Sequence, residues 1–102
     1  MAHGGECSGR CEGYGSGVVV KKGKCPKQPD DDAVRRARRR AEREAKHAAD
    51  ARCRAKGGEA CRCAGSATIV FEDAETQNVE GCGELCVYSA LAHYSGECTP
   101  LA

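Results

Sequence analysis

The residues of this chain best equipped for chemistry are nine cysteines and three histidines among 102 residues. Three of the cysteines stand together in ARCRAKGGEACRCAG, where Cys53, Cys61 and Cys63 mark the seam between an alanine- and arginine-rich run and an apolar one. Sulfurs so placed have three uses: bridges, metal ligands or reactive thiols. Bridges fit the composition best, because cysteine at this density in a short chain is the mark of a disulfide scaffold. The candidates are Cys7, Cys11, Cys25, Cys53, Cys61, Cys63, Cys82, Cys86 and Cys98. An odd number leaves one thiol free or bonded to another chain. For Cys53, Cys61 and Cys63 the expected partners are Cys25, Cys82, Cys86 and Cys98, although sequence alone does not set the connectivity.

The metal alternative draws on cysteine pairs at short spacing, which zinc sites use twice over. Cys7 with Cys11 and Cys82 with Cys86 are such pairs and would supply four thiolates, with Cys61, Cys63, His3, His47 and His93 in reserve. The long gap between the two pairs argues against a compact zinc module. Catalytic readings are weaker. No Cys-x-x-Cys redox motif occurs, and a nucleophile pair such as Cys86 with His93 is one of many chance pairings. GYGSG at 13–17 follows no expected strand and opens no helix, so it is not a phosphate loop. The expectation is a non-enzymatic chain without cofactor, zinc being the alternative.

Something must hold these sulfurs in place, and the core formers are few. Leu, Ile, Val and Phe together number 12, a level near that of disordered chains. A small domain also buries a smaller share of its surface. Disulfides worth ~2–4 kcal/mol each would offset so thin a core.

The elements follow from local pattern. Residues 1–29 read as a Gly- and Cys-rich segment, mostly loop, with one short strand at Val18, Val19 and Val20 ended by Gly23. Residues 30–58 read as a basic Ala/Arg helix, opened by the aspartates of PDDD at 29–32, running from about Ala33 to Lys56 and stopped by Gly57-Gly58. Its inner stripe is expected at Val34, Ala37, Ala41, Ala45, Ala48 and Ala55. Residues 59–102 read as an antiparallel strand pair. Cys61, Cys63, Ala67, Ile69 and Phe71 share one face of the first strand; Cys86, Tyr88, Ala90, Ala92 and Tyr94 share one face of the second. EDAETQNVEGCG between them reads as a loop. The sum is a single small α+β domain, one long helix packed on a small antiparallel sheet, rich in disulfides.

Net charge is only +1, but it is divided. Residues 1–56 hold fifteen Lys and Arg against eight Asp and Glu; residues 57–102 hold Arg62 against seven acids. The plain reading of VRRARRRAEREAK is a solvated helix face laced by pairs such as Glu42–Lys46. A second reading is a polyanion or partner face at Arg35, Arg36, Arg39, Arg40 and Arg43, able to track nucleic-acid phosphates. The balanced overall charge and scarce aromatics argue against nucleic acid. A third is self-association, the basic helix of one copy meeting the acidic stretch around Glu72, Asp73, Glu75 and Glu80 of another.

MAHGGECSGR does not read as a signal peptide, and no stretch reads as apolar enough to span a membrane. The expectation is a disulfide-stapled extracytoplasmic or secreted module that binds a protein partner or serves a structural role. A cytoplasmic thiolate metal-binding protein is the first alternative, and nucleic-acid binding through the basic helix the second.

Overall fold

The computed structural model describes residues 7–101. In chain order its elements are β1 (Arg10–Lys22), α1 (Asp31–Gly57), β2 (Cys61–Val79) and β3 (Gly83–Pro100). The three strands form one antiparallel sheet in the order β1-β3-β2, and α1 covers one of its faces. This is the α+β, disulfide-rich arrangement expected from the sequence.

The glycine-rich stretch is a strand of 13 residues, not a loop around three valines. Its odd positions, Cys11, Gly13, Gly15, Gly17 and Val19, are buried beneath α1, and its even positions face outward. The glycines mark a close approach rather than a turn. A Cβ on Gly15 would lie 2.6 Å from the carbonyl oxygen of Ala41, and one on Gly17 the same distance from the amide of Ala41. Helix backbone therefore rests almost directly on strand backbone.

Two step lengths make this contact repeat. Two strand residues advance ~6.7 Å, and four helix residues advance ~6 Å. Every second residue of β1 thus meets every fourth residue of α1. The buried stripe of α1 is Ala33, Ala37, Ala41, Ala45, Ala49 and Cys53, in steps of four throughout. The expected stripe agreed at Ala37, Ala41 and Ala45. Val34 and Ala48 are only half-buried, and Ala55 is exposed. An isolated amphipathic helix buries a mixed three-and-four period, whereas the strand beneath α1 imposes steps of four.

The helix ends are chemically explicit. The Asp30 carboxylate accepts from the Asp32 and Ala33 N–H groups and is bonded to Lys21 at 2.6 Å. Gly58, at φ 95°, closes the other end and donates to the Arg54 carbonyl.

β2 likewise differs from expectation: it continues to Val79 through EDAETQN, where the sequence pattern predicts a loop, leaving residues 80–82 as the turn. Local propensity in EDAETQN is poor, but β3 is long enough to pair with it residue by residue, and that pairing prevails. The irregularity survives as a bulge between Phe71 and Asp73, where the Asp73 carboxylate accepts the Ala74 N–H at 2.8 Å.

Alanines, cysteines, Val19 and two tyrosines make up the core. Tyr88 and Tyr94 are the largest buried side chains, and each uses its hydroxyl on backbone. The Tyr88 hydroxyl accepts the Asp30 N–H at the start of α1, and the Tyr94 hydroxyl accepts the Gly65 N–H and donates to the Gly65 carbonyl. A hydroxyl that would be costly to bury unpaired becomes the fastener of an element.

Candidate functional site

Eight of the nine cysteines form four bonds: Cys7–Cys61, Cys11–Cys63, Cys25–Cys86 and Cys53–Cys98. Cys82 is free and exposed, in the β2–β3 turn. Cys53 takes one of the partners expected for it. Cys61 and Cys63 do not: their partners are Cys7 and Cys11, in and just before β1. The reason is the strand order. With β3 central, the inward cysteines of β2 look across the underside of the sheet to β1, a strand the sequence concealed behind its glycines.

Three of the bonds gather at the C-terminal end of α1. Cys11 lies one glycine step beyond Gly13, and Cys53 one helical step beyond Ala49, so the sulfur pair continues the ladder of the Gly–Ala contact. The Sγ atoms of Cys11, Cys53 and Cys63 all lie within 4.8 Å of one another, all buried. Asp50 locks the same corner. Its carboxylate accepts the Cys63 N–H at 2.8 Å and pairs with Lys46 at 3.0 Å, while the Lys46 ammonium stands 5.7 Å from the Tyr94 ring centre. Burial alone would raise the Asp50 pKa. The Cys63 N–H and Lys46 outweigh it, so the carboxyl lies below its ordinary value.

The four cysteines of the metal reading are not brought together. Cys7 and Cys11 belong to this corner. Cys86 is bonded to Cys25 at the other end of the sheet, where it faces Lys21 while Cys11 lies beside the Gly96 position. Ten strand residues, ~33 Å, separate those places. Cys82 stands apart in its turn. His93 lies on the open face of the sheet, opposite the buried Cys86, so those two form no nucleophile pair. His47 is exposed on α1, and His3 lies outside the described residues.

A second cluster escaped sequence reasoning. On the open face, His93 Nε2 is 3.0 Å from a Glu12 carboxylate oxygen, which also accepts from the Tyr14 hydroxyl at 3.2 Å. The Tyr14 and His93 rings stack at 4.5 Å. Hydrogen bonds from His93 and then Tyr14 hold Glu12 below the usual carboxylate range, and Glu12 in turn raises Tyr14. Only the β1–β3 register, Tyr14 beside His93, could have disclosed it. Leu91, Val70, Val18 and Val20 extend this face, each more than 40% exposed.

The five arginines of the basic face are all exposed, but they do different work. Arg35, Arg39 and Arg43 recur every fourth residue on the side of α1 away from the sheet, without an ion-pair partner among the described residues. Arg36 lies 3.8 Å from Asp32. Arg40 donates to the Val18 carbonyl at 2.7 Å, and its neighbour Glu44 accepts the Ser16 N–H at 3.1 Å. These two side chains cap the outer edge of β1, beside a groove of about 410 Å³ that Arg43 and His47 also line. The expected Glu42–Lys46 pair is replaced by Lys46–Asp50, because Asp50 is anchored to Cys63 and is the better-fixed acceptor. Among the described residues, no helix is long and apolar enough to cross a membrane. Comparison with protein-family models, curated proteins and solved structures finds no match to this chain.

Proposed function

We propose that this chain is a disulfide-stapled binding or structural module that works in an oxidising, extracytoplasmic setting. One observation carries the reading: all four bonds join segments at least 45 residues apart and tie both outer strands and the helix around a core built largely of alanine and cysteine. Such a core contributes little apolar area, so the fold depends on its bridges, and bridges persist where thiols are not kept reduced. A binding role is favoured over catalysis because the titratable cluster of Glu12, Tyr14 and His93 lies on an open sheet face, its members already satisfied by one another. The test is the intact mass after alkylating natively purified, then unfolded, protein without reductant. One alkylated thiol, mapping to Cys82, is expected. Eight or nine would place the chain in a reducing compartment and overturn the proposal.

A second reading rests on the same sulfur-rich corner. Reduced, Cys11, Cys53, Cys63 and Cys98 would offer four neighbouring thiols, the ligand set of a structural zinc site. This set replaces the four cysteines read from spacing alone. Titrating reduced protein with Co²⁺ tests it: tetrathiolate absorption bands lost in Cys53→Ser support it, and their absence refutes it.

A further inference from the structure

The two outer strands of the sheet are treated differently. In an antiparallel ladder, alternate residues turn both N–H and C=O toward the neighbouring strand, and the others turn them away. For β1 the outward groups belong to even positions, and at mid-strand Glu44 takes the Ser16 N–H while Arg40 takes the Val18 carbonyl, one group at each residue. For β2 they belong to odd positions up to the bulge and even positions after it. Asp50 takes the Cys63 N–H, the Tyr94 hydroxyl takes both groups of Gly65, and Asp73 takes the Ala74 N–H. Between these guards, at Ala67, Ile69 and Phe71, no side chain among the described residues meets the backbone. That window is uncharged, reads ATIVF, and is rich in strand formers. Ile69 and Phe71 are only partly buried, because α1 packs along β1 and leaves this side of the sheet thinly covered.

We propose that the β2 edge from Ala67 to Phe71 is a self-pairing surface, on which a second copy of the chain adds its own β2 antiparallel about a two-fold axis at Ile69. The window is self-complementary. Ile69 meets its equivalent, Ala67 meets Phe71 (small against large), and Thr68 meets Val70 on the open face. Beyond the window no like charges are opposed: Glu72 is the bulged residue, Asp73 falls opposite Ser66, and Arg62, the one Lys or Arg after Lys56, falls opposite Gln77 and diagonal to Glu75. The guards at each end of the window limit pairing to these five residues in both copies alike. The product is a six-stranded sheet, β1-β3-β2-β2-β3-β1, whose remaining edges are the β1 strands, each interrupted at mid-length where Glu44 and Arg40 hold the Ser16 N–H and the Val18 carbonyl, which disfavours continuous further pairing.

Sedimentation equilibrium of the oxidised Cys82→Ser protein, from roughly micromolar to millimolar concentration, is expected to show the mass rising from 10.7 kDa to twice that value. The Ala67 and Ile69 amides should gain hydrogen-exchange protection over the same range. Val70→Lys, at a position 56% exposed, and Ile69→Pro, which removes only an outward N–H, should each weaken the dimer about tenfold or more. Val20→Lys, on the same open face but on β1, should leave it unchanged. A monomer at every concentration, or a dimer indifferent to Val70→Lys, would overturn the proposal. So would a dimer dissolved equally by Val20→Lys, which would put the contact on the open face. If Ile69→Pro does not fold, Val70→Lys alone decides.

Discussion

Cys25–Cys86 and Cys7–Cys61 span 61 and 54 residues, so a count along the chain gives them nearly equal weight. The fold makes them unequal. Cys7 and Cys61 lie next to the Cys11–Cys63 bond, and with that bond intact Cys7–Cys61 closes a ring of only about six residues. Cys25–Cys86 has no such neighbour: its shortest path runs back to Cys11, across to Cys63 and on to Cys86, a ring of about 37 residues. Chain entropy then assigns about 2 kcal/mol to the first bond and about 4 kcal/mol to the second. For a domain of this size those losses correspond to about 10 °C and about 20 °C in Tm. Cys61 and Cys86 are equally buried, so the packing lost on replacement cancels in the comparison. The measurement is guanidinium unfolding, without reductant, of Cys7→Ala/Cys61→Ala and Cys25→Ala/Cys86→Ala in a Cys82→Ser background. Removing Cys7–Cys61 and Cys11–Cys63 together should cost about 6 kcal/mol, more than two losses of about 2, because each bond shortens the other's ring. Equal losses for the two pairs, or strict additivity in the double removal, would refute the reasoning.

The Gly–Ala contact makes Gly15→Ala destabilising by about 3 kcal/mol or more, since the new Cβ meets helix backbone and no rotamer relieves it; thermal unfolding followed at 222 nm checks it, and Ser16→Ala, on the exposed face, should cost far less. The depressed pKa of Asp50 means that its contribution is present above the ordinary value of 3.8 and is lost as pH falls through the lower folded value. Asp50→Asn should therefore cost about 1 kcal/mol at neutral pH and flatten the acid limb of the stability profile, an effect read from unfolding midpoints between about pH 2 and pH 7. Arg40→Ala/Glu44→Ala frees the β1 edge and should convert a closed assembly into open-ended association, visible as light scattering that rises with concentration; an unchanged mass distribution would show that the caps are not what stops growth.

Much of this molecule is written locally. Asp30 with two further aspartates, a run of alanine and arginine, and Gly58 together specify a helix whatever surrounds it, because caps and propensity act within a few residues. The period-two pattern of Cys86, Tyr88, Ala90, Ala92 and Tyr94 likewise assigns β3 its two faces, and the number of cysteines implies bridges with one thiol to spare. What only the tertiary structure decided is everything that depends on a partner distant in sequence. Gly13, Gly15 and Gly17 look like loop residues until a helix backbone lies over them. Glu72 to Val79 become strand only because β3 is long enough to pair with them, and Cys61 and Cys63 find Cys7 and Cys11 only once β3 lies between β1 and β2. Lys46 chooses Asp50 over Glu42 because Cys63 has already fixed that carboxylate. The capped edge of β1 and the open edge of β2 appear in no local pattern, since a hydrogen-bonding group is free or occupied according to what the rest of the chain places beside it.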